Sequence, residues 1–209
     1  YMPNTYQPTD NTRAISENKI TRSDTGLPEN SFVLCCFNST YKITSEEFDI
    51  WMRIMKTIKG SVLWLFKSNQ WAENNLKKEA ENRGVNASRI IYAERLPQDQ
   101  HLERHKFADL FIDTFNCNAH TTASDALWAG LPVVTKIGKG FAARVAASLL
   151  NAIDLRELIT DNKKNYEKLI IDLAKNPNKL NKIKEKLHRN RISKPLFNTE
   201  LYTKNLENG

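Results

Sequence analysis

The sequence predicts an α/β fold: a Rossmann-like parallel sheet with helices on both faces, followed by helices alone. Three observations predict it. Short, wholly apolar runs recur, as expected for strands buried on both sides. Segments with helical spacing of apolar residues alternate with them, the signature of a parallel sheet. At one junction the run 109–113 ends on Asp113, a polar loop follows, and His120-Thr121-Thr122 opens a helix with Asp125 in its first turn. In a parallel sheet this is the carboxyl end of a strand feeding the amino end of a helix, where free N–H groups and the helix dipole favour phosphate.

Residues 1–30 are polar, broken by Pro3, Pro8, Gly26 and Pro28, and read as an extended linker that follows a missing N-terminal half, not as a core element. Residues 31–160 read as the sheet domain. Strands are predicted at 31–37, 61–66, 89–93, 109–113 and 133–135. Thr44 or Ser45 caps a helix bearing Phe48, Trp51, Met52 and Met55, and Gly60 closes it. A helix over 72–83 ends at Gly84, and a short one after Pro97 carries His101 and His105. Helices over 121–129 and 141–150 follow, the first closed by Gly130 and Pro132. Residues 161–209 carry helices near 162–175, 177–191 and 198–208, packing on the domain or a neighbouring one.

Composition narrows the function classes. With 209 residues and 40% apolar content, one well-formed domain can bury a core. The apolar runs are too short to span a bilayer, and 1–13 is polar, so the expectation is a cytoplasmic protein without membrane contact. Cys35, Cys36 and Cys117 lack metal spacing and read as reduced thiols. The net charge of +7 is concentrated in 162–194, where eleven Lys and Arg face only Glu167, Asp172 and Glu185. That run is a solvated helix face or a surface for an acidic partner. No aromatic residues interleave it for base stacking, so nucleic acid is not an expected partner.

Four strand-to-helix loops open at one sheet edge and bring polar residues together. The first offers Asn38, Ser39, Thr40, Tyr41 and Lys42, and the third Gln98, His101 and Arg104. The fourth offers Asn118, His120, Thr121, Thr122 and Asp125, and the fifth Lys136, Gly138, Lys139 and Gly140. The set suits a nucleoside diphosphate. Thr121 and Thr122 hold phosphate oxygens, Lys42 adds a point charge, Asp125 accepts from ribose hydroxyls, and His101 lays a flat ring against a base. Each has a plainer reading: Thr121 as an N-cap, Asp125 as a dipole partner, His101 and Lys42 as solvated side chains. Glycine-rich dinucleotide and Walker loops are absent, which argues against an oxidoreductase or ATPase. Neither a nucleophilic triad nor a paired-carboxylate motif stands out, and no carboxylate cluster for a divalent ion is visible, so no metal requirement is expected.

Several blocks resemble the C-terminal catalytic half of the O-GlcNAc transferase family, above all its bacterial members. They are 35–43 (CCFNSTYKI), 61–65 (SVLWL), 117–130 (CNAHTTASDALWAG), 142–149 (AARVAASL) and 191–199 (RISKPLFNT). The resemblance implies an inverting glycosyltransferase of GT-B architecture, of which this chain is the nucleotide-sugar-binding half, binding a UDP-sugar (UDP-GlcNAc foremost) for transfer to protein Ser or Thr. It implies that Lys42 is catalytic, stabilising the leaving diphosphate. It gives His120, Thr121 and Thr122 to the pyrophosphate, His101 and Arg104 to the uracil, and Asp125 to the ribose. Ser39 stands where many members have Gln, and Gln98 where animal enzymes have a Lys near the ribose; the lost charge would weaken binding or alter the preferred nucleotide. Partners implied are the N-terminal catalytic half and tetratricopeptide repeats upstream. The alternative is a nucleotide-binding or protein-interaction module without catalysis in isolation.

Overall fold

A computed structural model describes residues 2–17 and 20–208. Six parallel strands form one sheet in the order β3-β2-β1-β4-β5-β6. They are β1 (Val33–Cys36), β2 (Val62–Phe66), β3 (Ile90–Ala93), β4 (Leu110–Ile112), β5 (Val133–Lys136) and β6 (Ile159–Thr160). This is the doubly wound order, in which the chain reverses direction of travel between β1 and β4. Leu34 lies beside Leu63 on one side and Leu110 on the other, so β1 is central. All four of its residues are buried, as a strand covered on both faces requires.

Helices α1 (Ser45–Thr57), α2 (Gln70–Asn82), α3 (Gln98–Arg104), α4 (Thr121–Trp128) and α5 (Val145–Ala152) connect the strands. Helix α1 buries Phe48, Trp51, Met52 and Met55, the stripe expected of its sequence. Helix α2 starts earlier than its apolar pattern because the Asn69 side chain accepts the Ala72 N–H at 2.9 Å. The helix expected over 141–150 is a 3₁₀ turn, Phe141–Ala143, followed by α5. There the preceding loop folds back: the Gly138 N–H donates to Ala143 O at 2.7 Å, and a Cβ on Gly138 would lie 2.5 Å from the Ala143 methyl. Strand β6 is absent from the sequence reading because two residues carry no periodicity; it is held by the pairing of Thr135 with Ile159.

Helices α6 (Lys163–Lys175), α7 (Pro177–Ser193) and α8 (Thr199–Glu207) follow. Tyr166 of α6 is buried and accepts the Trp51 indole N–H at 3.1 Å, tying α6 to α1. Part of the basic run is paired at the surface: Lys163 with Glu46, Lys179 with Asp172, Lys186 with Glu157 and Lys194 with Asp154. The N-terminal segment runs over the domain instead of away from it. Leu27 joins the core, and Thr9 Oγ1 donates to Leu196 O at 2.6 Å. Its polarity hid these isolated anchors. Among the described residues no helix is long and apolar enough to cross a membrane.

Candidate functional site

The loops after β1 and β4 diverge at the point where the strand order reverses, leaving a crevice at the carboxyl edge of the sheet. A cleft of about 460 Å³ opens there, lined by Phe37, Ser39, Phe66, Arg95, Leu96, Gln98, His101 and Thr122. Residues at or beyond the carboxyl ends of β1, β2, β3 and β4 thus meet in one place. Phe37 and Phe66 escaped the sequence reading, although each is the last apolar residue of its strand run and so must emerge at this edge. The His101 ring stands 5.3 Å from Phe37 and 6.4 Å from Phe66, centroid to centroid.

His101 is half-buried, not solvated. Burial holds its imidazole down at about 3, with His105 and the Arg104 charge adding to the effect. The Arg104 guanidinium can only donate, and it bonds His101 Nδ1, so His101 is neutral with its proton on Nε2. Arg104 itself is 1% exposed, lies 4.7 Å from the Phe37 ring centroid and donates to Glu94 O. It braces the aromatic wall from behind and does not line the cleft.

The polar end of the crevice is the head of α4. His120 occupies the N-cap position and Thr121 is the first helical residue, so Thr121 is not the cap. The His120 side chain does not cap either; Nε2 faces Ala142 O at 3.3 Å and Nδ1 faces Tyr6 Oη at 3.4 Å. The first N–H groups of α4 therefore receive no side-chain cap and are disposed for an anion. Lys42 Nζ donates to Asn118 O at 3.1 Å, which fixes its ammonium beside this helix start. The fifth loop buttresses the fourth, Ala142 O accepting the Asn118 N–H at 2.8 Å.

Beneath that turn lies Asp113, fully buried at the end of β4. Its Oδ1 accepts from Ala119 N at 2.6 Å, Thr114 N at 2.8 Å and Asn38 Nδ2 at 3.2 Å, and its Oδ2 from Thr135 Oγ1 at 2.7 Å. Burial pushes its carboxyl up to about 7, the four hydrogen bonds holding back part of the rise. Asn38 passes the connection on, accepting the Thr122 hydroxyl at 2.5 Å. That hydroxyl faces inward, so Thr122 has its N–H to offer a phosphate, whereas the Thr121 side chain is exposed. A short apolar run ending in Asp hinted at Asp113; of its four partners, Thr114 and Ala119 are local, while Asn38 and Thr135 come from segments far away in sequence.

Asp125 begins the second turn of α4, not the first, because the helix starts at Thr121. Its carboxylate pairs with Arg13 of the N-terminal segment. Burial raises its pKa while the Arg13 charge and hydrogen bond pull it down. Nothing in the sequence pattern coupled Arg13 to it across more than a hundred residues. Cys35 and Cys36 are buried free thiols, and Cys117 is partly exposed beside the site. Among the described residues no group of three or more His, Cys, Asp or Glu side chains is placed to hold a metal ion.

This sheet order, with an aromatic cleft and an open helix start at its switch point, defines a Rossmann-like domain, and its likeness to a solved O-GlcNAc transferase gives it the GT-B glycosyltransferase architecture. Residues 8–206 match the model of glycosyl transferase family 41, and the chain belongs to that family. It is 36% identical over 208 residues to a probable UDP-N-acetylglucosamine–peptide N-acetylglucosaminyltransferase of Arabidopsis thaliana, covering 99% of this chain and 21% of the relative. It is 33% identical to the Caenorhabditis elegans protein named for the same activity, covering 89% of this chain and 16% of the relative. The chain thus spans about a fifth or less of the length of these relatives. Among solved structures it resembles a Thermobaculum terrenum O-GlcNAc transferase mutant, with a TM-score of 0.80 and 27% identity over 87% of this chain and 37% of that one.

Proposed function

We propose that this chain is the donor-binding half of an inverting glycosyltransferase that moves a sugar from a UDP-sugar, UDP-GlcNAc foremost, to Ser or Thr hydroxyls of proteins. One observation carries the reading: the Lys42 ammonium is fixed beside the uncapped start of α4, next to an aromatic cleft at the switch point. The names of the Arabidopsis and Caenorhabditis relatives support the choice of donor and acceptor.

The uracil stacks in the cleft against His101, Asp125 takes the ribose, and the diphosphate sits on the N–H groups of Thr121 and Thr122 with His120 and Lys42 alongside. The acceptor hydroxyl attacks the anomeric carbon opposite the diphosphate. The bond from that carbon to the phosphate oxygen breaks and its electron pair leaves with UDP, whose negative charge grows. Lys42 and the helix start stabilise this charge where it develops. The acceptor's proton passes to a base outside this chain, in the N-terminal half, with tetratricopeptide repeats upstream of it in the parent protein. Because Lys42 and the α4 dipole meet the diphosphate, transfer is expected to proceed without a divalent ion, and chelation with EDTA should leave turnover unchanged. The free thiols suit a reducing compartment, and we place the protein in the cytoplasm.

The test compares wild-type full-length protein with Lys42→Met, following UDP affinity by calorimetry and sugar transfer to a Ser/Thr peptide. Turnover should fall about 100-fold or more, with UDP binding partly retained. Unchanged turnover would remove Lys42 from this role. UDP binding without any transfer by the wild type would leave a nucleotide-binding module, and no UDP binding would end the nucleotide reading.

A further inference from the structure

The N-terminal segment places a cation against the carboxylate we assign to the ribose. Arg13 is held from several sides: its Nε donates to Asp10 O at 3.0 Å, its carbonyl accepts the Trp128 indole N–H at 3.2 Å, and its guanidinium lies 5.8 Å from the Trp128 ring centroid. Three residues on, Ser16 N donates to Asp99 O at 3.2 Å, next to the cleft residue Gln98. The segment therefore bridges α4 and the start of α3, the two helices that carry the cleft residues Thr122, Gln98 and His101. The Arg13 side chain is only 10% exposed; one terminal nitrogen, Nη1, pairs with Asp125, and the other, Nη2, is buried with no hydrogen-bond partner.

A buried guanidinium N–H without an acceptor is costly and marks a place where an acceptor is missing; this one belongs to the partner of Asp125, which lies one helical turn along α4 from the cleft residue Thr122. A carboxylate paired with a guanidinium has the right chemistry for a sugar hydroxyl: the carboxylate accepts its proton while the remaining N–H donates to its oxygen. We propose that Arg13 is a donor-binding residue, fixing Asp125 through Nη1 and offering Nη2 to a ribose hydroxyl of the nucleotide. This rests on the reading of the crevice as a UDP site. The segment before β1 is then one wall of the donor site.

Calorimetry on the full-length protein compares UDP with 2′-deoxy-UDP and 3′-deoxy-UDP, in wild type, Arg13→Gln and Arg13→Lys. The wild type should prefer UDP over at least one deoxy form by about tenfold. Arg13→Gln should bind UDP about tenfold more weakly and lose that preference. Arg13→Lys keeps the charge opposite Asp125, and so the anchoring of the segment, but lacks the second terminal nitrogen; it should fold, as melting curves will show, and also lose the preference. Variants that keep wild-type affinity and preference, or bind UDP more tightly, would overturn the proposal and make Arg13 a surface pin or a plug. Failure of both variants to fold would assign Arg13 to packing and overturn it equally. No UDP binding by the wild type would instead refute the nucleotide site on which the proposal stands.

Discussion

Replacing Asp113 by Ala removes the acceptor on which the Asn118–Thr122 turn rests. Two backbone N–H groups, of Thr114 and Ala119, and the Thr135 hydroxyl lose their partner in a site closed to solvent. At about 1–3 kcal/mol for each unsatisfied buried donor, the two N–H groups alone make about 2–6 kcal/mol of lost stability. Asp113→Asn should recover more than half of that, since its oxygen still serves Thr114 and Ala119 while the Thr135 hydroxyl can turn to accept from its amide. The pH dependence gives a second handle. The carboxyl's pKa rises from 3.8 in the unfolded chain to about 7 in the fold, so the folded state holds its proton more tightly. The stability this contributes is full below about pH 3.8 and is lost as pH rises through about 7. Relative to Asp113→Asn, the wild type should lose up to about 3 kcal/mol between pH 5 and 8, at about 1.4 kcal/mol per pH unit. Urea denaturation midpoints at several pH values measure both effects. An Ala variant costing under about 1 kcal/mol would refute the assignment of Asp113 as the support of the anion-binding turn, and a wild type whose margin over Asn is flat with pH would refute the raised pKa of its carboxyl.

Other perturbations test neighbouring parts. Thr122→Val deletes the hydroxyl that donates to Asn38 and should cost about 1 kcal/mol in stability while UDP affinity stays within about threefold, both read on the same samples. His101, held at about 3, should show no titration of its ring-proton NMR shifts between pH 5 and 8, and UDP affinity should show no inflection from it there. Tyr166→Phe orphans the buried Trp51 indole N–H and the Asp113 carbonyl, which should cost about 1–3 kcal/mol by urea denaturation.

Much of the fold was legible because buried parallel strands cannot hide: 31–37 and 61–66 are apolar after an opening serine and contain β1 and β2. Caps set the boundaries, as at Asn69 and Asn162, each accepting an N–H three residues on. What stayed hidden had no local signal. Strand β6 is two residues long, and Leu27 and Thr9 are single anchors in a polar segment. The polar half of the site was visible since strand-end loops in a parallel sheet must converge. Its supports were not: the Arg13–Asp125 and Asn38–Asp113 contacts depend on strand order and on the path of a segment without periodicity. Arg104 shows the same limit, its residue type suiting ligand contact while its burial gives it a bracing position.

The central claim is that a nucleoside diphosphate binds at the switch point with its charge on α4 and Lys42. A crystal of the full-length protein grown with UDP tests it most directly. The account predicts the diphosphate on the N–H groups of Thr121 and Thr122, Lys42 Nζ within hydrogen-bond distance of it, and the uracil against His101. A diphosphate seated elsewhere, or a crevice left without UDP at saturating concentration, would contradict it.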